Sequence, residues 1–96
     1  MTTATTGTVR VTIVPSPACH LCEDAQESLA ELAHSYSFDL ESVPIETPEG
    51  ARLVAQHRPA LSPLVLVDGA YFSAGRLPRK KLATLLTTRG AVRDGQ

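Results

Sequence analysis

The hydrophobic period of this chain changes twice within its first 45 residues, and that double change leaves few folds open. From Thr8 to Val14 (TVRVTIV), Val9, Val11 and Ile13 alternate with Thr8, Arg10 and Thr12, the two-residue period of a strand built from β-branched residues. Pro15 and Pro17 stop it. Beyond Cys19, the apolar positions Leu21, Ala25, Leu29, Leu32 and Ala33 share one helical face, and Glu23, Asp24, Glu27 and Glu31 occupy the other. A first helix is therefore expected from about Cys19 or His20 to about His34. Phe38 to Ile45 (FDLESVPI) returns to alternation, with Phe38 and Leu40 opposite Asp39 and Glu41, and Pro44 marks an edge or the strand's end. Strand, helix and strand at this spacing form a βαβ unit with two parallel strands.

The second half continues the pattern. Thr47, Pro48 and Glu49 combine a hydroxyl N-cap, a proline at the first helical position and a carboxylate in the first turn, so a short helix is expected from Pro48 to about His57. Leu64 to Val67 is an unbroken apolar run, Asp68-Gly69 is a tight-turn dipeptide, and Ala70 to Ser73 can pair back. Pro78 opens a last helix in which Leu82, Leu85 and Leu86 share a face and Arg79, Lys80 and Lys81 are exposed, ending near Gly90. The order is βαβ, helix, ββα. It predicts an α/β domain with a mixed four-stranded sheet flanked by three helices over residues 8–90, preceded by a loose tail at 1–7 and followed by a frayed segment at 91–96.

Ninety-six residues, 43% hydrophobic and 20% charged, suffice for one small core and no second domain. No window approaches the roughly 20 apolar residues of a membrane span, and the start carries no basic or apolar leader. A cytoplasmic, membrane-free protein is the simplest expectation. The net charge of −1 conceals an asymmetry: eight acidic residues and one basic up to Gly50 (−7), two acidic and eight basic from Ala51 onward (+6). With a pI near 6.3 and four Phe and Tyr, the chain lacks the basic, aromatic-interleaved surface that nucleic acid requires.

Cys19 and Cys22 are the only cysteines. At i and i+3 of a helix start they share a face with Cβ atoms about 5 to 6 Å apart, close enough to reach disulfide geometry by small adjustments. Unpaired N–H groups at a helix N-terminus stabilise a thiolate there and can lower a thiol pKa from about 8.5 toward 7 or below. Cys19 would then attack, and Cys22, one turn inside and facing the core, would resolve. His20, when protonated, would add positive charge beside the thiolate and tune it; the alternative is an exposed first-turn residue with no role. Two other readings stay open. The cysteines can be inert core residues, or C-x-x-C can be half of a zinc site completed from His20, His34 and His57, though no second pair has finger-like spacing. His34 and His57 near helix ends are otherwise explained by the dipole.

Three stretches, "CHLCEDA" (Cys19 to Ala25), "SPLVLVDG" (Ser62 to Gly69) and "FSAGRLPRKKL" (Phe72 to Leu82), resemble the glutaredoxin-like branch of the thioredoxin superfamily, over essentially residues 8–90. The resemblance implies a thioredoxin fold and a cis Ser62-Pro63 bond facing the cysteines, with exposed backbone there to bind a substrate segment by strand-like pairing. A substrate-binding region of Ser62, Pro63, Gly75, Arg76 and Arg58 is expected, in which the arginines either grip a carboxylate or are simply solvated surface residues. The chain departs from standard glutaredoxins: His20-Leu21 stands between the cysteines instead of Pro-Tyr, no lysine lies just before Cys19, and no acid follows Gly75.

The expected function is that of a monomeric thiol-disulfide oxidoreductase, with no bound cofactor beyond its own redox-active disulfide. Its substrates would be protein or low-molecular-weight disulfides. Its electrons would come from a thioredoxin-reductase-like donor or from glutathione as co-substrate. A non-catalytic binding module and a metal or iron-sulfur carrier are the alternatives.

Overall fold

A computed structural model describes residues 9–91. Its elements are β1 (Val9–Val14), α1 (His20–Leu32), β2 (Phe38–Ser42), α2 (Pro48–His57), β3 (Leu64–Val67), β4 (Ala70–Ala74) and α3 (Arg79–Thr88). One mixed sheet has the order β2-β1-β3-β4. β1 and β2 run parallel, from Val9 beside Phe38 to Ile13 beside Ser42. β3 runs antiparallel to β1, with Val14 beside Leu64 and Val11 beside Val67. β4 returns from β3 with an irregularity between Val65 and Leu66. The βαβ-α-ββα order and the mixed four-stranded sheet with three helices are as the sequence predicts.

The central pair β1 and β3 is buried on both faces. On one face Val9, Val11, Ile13, Val65 and Val67 pack with Ala25 and Leu29 of α1 and Leu82 and Leu86 of α3. On the other, Val14, Leu64 and Leu66 pack with Val43 and receive Leu53 and Val54 of α2. Thr12, which alternates with the apolar positions of β1, is buried as well, because α2 covers the second face. Leu40, expected to point inward, is 46% exposed. β2 is an edge strand with little above it at that point.

Element ends differ from expectation by the chemistry of their last groups. α1 stops at Leu32, two residues early: His34 and Ser35 donate to Glu31 and Leu32, three residues back, so the last turn tightens and uses up the carbonyls. β2 ends at Ser42, but Val43 and Ile45 still donate to Ile13 and Pro15 at 2.9 Å. Pro44, with no N–H, interrupts the ladder without ending the association. Pro78 caps α3 in extended conformation instead of opening it, and the helix proper starts at Arg79. Ala91, assigned by sequence to the frayed segment, is 2% exposed in the core. Its N–H donates to Leu86 and its carbonyl accepts from Ser37 at 2.6 Å. The remainder of that segment and the tail at 1–7 lie outside the described residues.

α2 is set by Thr47, whose hydroxyl accepts from the Gly50 N–H at 3.0 Å and donates to the Pro44 carbonyl at 2.7 Å. Gly50 is buried against that same carbonyl, and a Cβ there would collide with the Pro44 oxygen. Gly50→Ala should therefore lower the thermal midpoint by several degrees, despite alanine's better helix propensity of about 1 kcal/mol. Ser73 carries the opposite signal: its hydroxyl is buried without a partner among the described residues. Ser73→Ala removes a desolvated group and should leave chemical-denaturation stability unchanged or raise it by about 1 kcal/mol.

Candidate active site

β1 delivers the chain at Val14 to the end of the sheet where β3 begins. Between β1 and α1, Pro15 is held by the Ile45 N–H, and Ala18 takes φ 51°. That left-handed conformation costs an alanine about 1 kcal/mol or more. It precedes Cys19 in extended conformation, with φ −120° and ψ 106°, as the N-cap of α1.

Cys19 and Cys22 are joined as a disulfide with Cα atoms 5.2 Å apart. The Cys22 N–H donates to Cys19 Sγ at 3.0 Å, so the sulfur occupies the place that a serine or aspartate oxygen takes at an ordinary N-cap. A thiolate at this atom would accept that hydrogen bond more strongly than the disulfide sulfur does. Cys22 is 3% exposed within the core, whereas Cys19 is only partly covered. The two sulfurs are thus unequal in access as well as in electrostatics.

His20 is placed in solvent. Its side chain is fully exposed, and Nδ1 lies 4.0 Å from Glu23 Oε1, so any charge it carries is hydrated and shared with a carboxylate. Among the described residues no group of three or more His, Cys, Asp and Glu comes together to hold a metal. No helix among them is long and apolar enough to cross a membrane.

Pro63 lies at the same end of the sheet, one residue before β3, and the Ser62-Pro63 bond is cis. Its ring is fully buried, and its carbonyl accepts from the Gly75 N–H at 3.0 Å. That bond ties the segment before β3 to the turn after β4. Gly75, at φ +87°, lies under Leu61: a Cβ there would stand 3.0 Å from Leu61 Cδ1 and 3.2 Å from its Cβ. Ser62 is half-buried, and its N–H and C=O have no hydrogen-bond partner among the described residues. Arg76 follows Gly75, exposed; Arg58 caps the C-terminus of α2 at φ 49°. Neither forms an ion pair among the described residues. The structure therefore gathers Cys19, Cys22, Ser62, Pro63, Gly75 and Arg76 toward one end of the sheet. Arg58, at the end of α2, precedes Ser62 by four residues.

Sequence reasoning passed over Ala18 and Leu61. Alanine gives no signal of positive φ, and one leucine in a loop gives none of exposure, save for its place directly before Ser62-Pro63.

A mixed sheet of this order, with a disulfide-bonded cysteine pair at the first helix start and a cis proline before the third strand, defines a thioredoxin-superfamily protein. A thioredoxin-like protein from Clostridium perfringens, solved in solution, has the same fold: TM-score 0.70 at 15% identity, covering 91% of this chain and 75% of that one. No curated protein matches. The model of the glutaredoxin-like domain (DUF836) matches residues 10–87. The chain belongs to that family.

In the reduced protein, iodoacetamide should modify Cys19 well before Cys22, with a rate that rises with pH through a midpoint below the roughly 8.5 of a free thiol; peptide mass mapping reads both. His20→Ala should move that midpoint by less than about 0.7 unit, since exposed charge pairs are worth about 1 kcal/mol at most.

Proposed function

We propose that this protein is a thiol-disulfide oxidoreductase whose redox centre is the Cys19-Cys22 pair. In the reductive direction the Cys19 thiolate attacks one sulfur of a substrate disulfide. A Cys19–substrate disulfide forms, and the other substrate sulfur leaves as a thiolate. The Cys22 thiolate then attacks Cys19 Sγ, expelling the second substrate thiolate and closing the Cys19-Cys22 bond. Two electrons pass to the substrate, and its two sulfurs take up protons from solvent at neutral pH. A dithiol reductase or two equivalents of glutathione return the electrons, in a reducing compartment such as the cytosol. The thiols are the whole redox cofactor.

What supports this above all is the asymmetry of the pair: Cys19 Sγ accepts a helix N-terminal N–H and is partly exposed, and Cys22 is buried one turn behind it. Family membership points the same way. The unpaired backbone of Ser62 at the same end suits an extended substrate segment, bound by strand-like pairing. For glutathione the fit is weaker, because no acid follows Gly75.

Titration in dithiothreitol buffers, with thiols trapped by alkylation and counted by mass, should give a reversible two-electron transition within about −270 to −200 mV. Cys22→Ser should leave Cys19 able to attack but unable to resolve, so that a stable mixed disulfide accumulates with a disulfide substrate. Thiols that never form the internal disulfide would leave the fold a binding scaffold.

A further inference from the structure

We infer that Leu61 is a specificity-determining residue that selects substrates carrying an apolar side chain beside the reacting cysteine; this rests on the oxidoreductase reading above. Leu61 is 59% exposed, one of only three large hydrophobic residues so exposed among the described residues. It is also fixed in position. Its side chain lies on the backbone of Gly75, where a Cβ would leave only 3.0 Å to Cδ1, and Gly75 is bonded in turn to the Pro63 carbonyl.

The occupant follows from the neighbouring backbone. Ser62 has an N–H and a C=O without partners among the described residues, at the end of the sheet where the Cys19-Cys22 disulfide lies. An extended polypeptide that pairs with Ser62 satisfies both groups and brings its own cysteine toward Cys19. Side chains of an extended segment alternate in direction, so one neighbour of that cysteine is carried toward the β3 side of the site, where Leu61 offers apolar surface. A polar or glycine neighbour gains nothing from that surface, and an apolar one buries area on both partners. Glutathione has no apolar side chain beside its cysteine, so Leu61 favours polypeptide disulfides over it. Leu40 and Tyr71, the other two exposed hydrophobic residues, lie on the edge strands β2 and β4 beside Val11 and Leu66, further along the sheet from the disulfide.

The test uses the full-length reduced protein and short synthetic peptides, each with one cysteine in a mixed disulfide with 5-thio-2-nitrobenzoate. Attack of Cys19 on the peptide sulfur expels the coloured thiolate, and Cys22 then releases the peptide thiol as the internal disulfide closes. The second-order rate constant for leucine or phenylalanine beside the cysteine should exceed that for glycine or serine by roughly five-fold. Leu61→Ser should reduce the ratio to about one, and Leu61→Met should restore it. Equal rates for all peptides with the wild-type protein, or a ratio that survives Leu61→Ser, would overturn the role of Leu61 alone. A protein whose thiols react with none of the peptides would overturn the oxidoreductase reading as well. Leu61→Ser is confirmed as folded by its thermal transition; if it does not fold, the Leu61→Met ratio and the wild-type series still decide.

Discussion

Burial of β1 on both faces is the constraint from which the rest of the molecule follows. A strand whose two sides both meet helices has no tolerance for a register slip, since a shift of one residue would exchange Val11 and Ile13 with Thr12 across the sheet. With β1 fixed, the point where it hands the chain to α1 is fixed too. Pro15 is held from the side by Ile45, Ala18 turns, and Cys19 arrives as the N-cap. Ala25 and Leu29 then bind α1 into the same core as Val9, Val11 and Ile13. The position of the reactive sulfur is therefore a property of the whole packed sheet and not of the loop that carries it.

At the site itself, two effects act in the same direction. The backbone N–H of Cys22 lowers the energy of negative charge on Cys19, while burial raises the energy of negative charge on Cys22. Either alone would separate the two thiols in reactivity; together they act in the direction the proposed division into attacking and resolving thiols requires. The charged side chains nearby contribute less. His20 stands in solvent beside Glu23, and exposed pairs of this kind are largely compensated by water.

How far this was legible in the sequence depends on which force decided each feature. Where period and local chemistry decide, as in the alternation of β1, the Thr47-Pro48 start of α2 and the Asp68-Gly69 hairpin, the residues state the outcome and the structure agrees. The unbroken run Leu64 to Val67 likewise announced a strand of the hairpin. Where tertiary contact decides, the residues are silent. Nothing local says that α2 covers Thr12, that Leu40 is left half in water, or that Ala91 is drawn back into the core by Ser37, although Pro44 did point to an edge for β2. The cysteine pair and Ser62-Pro63 were visible as motifs. Ala18 and Leu61 were not, because a left-handed alanine and an exposed leucine become evident only when the neighbouring chain is in place.

At the end of the sheet away from the disulfide, one carboxylate gathers three parts of the chain. Asp68, at the hairpin tip, accepts from the Arg10 N–H at the start of β1 and pairs with Arg89 after α3, and Ala91 is bonded to Ser37 nearby. At the opposite end the Ser16 to Ala18 loop, the approach to Pro63 and the turn at Gly75 are held by backbone bonds, Ile45 to Pro15 and Gly75 to Pro63. The molecule is fastened through a shared carboxylate at one end and through backbone bonds between short loops at the disulfide end. Substitutions in those loops can therefore change the surface around the disulfide while the Asp68 fastening at the other end stays untouched.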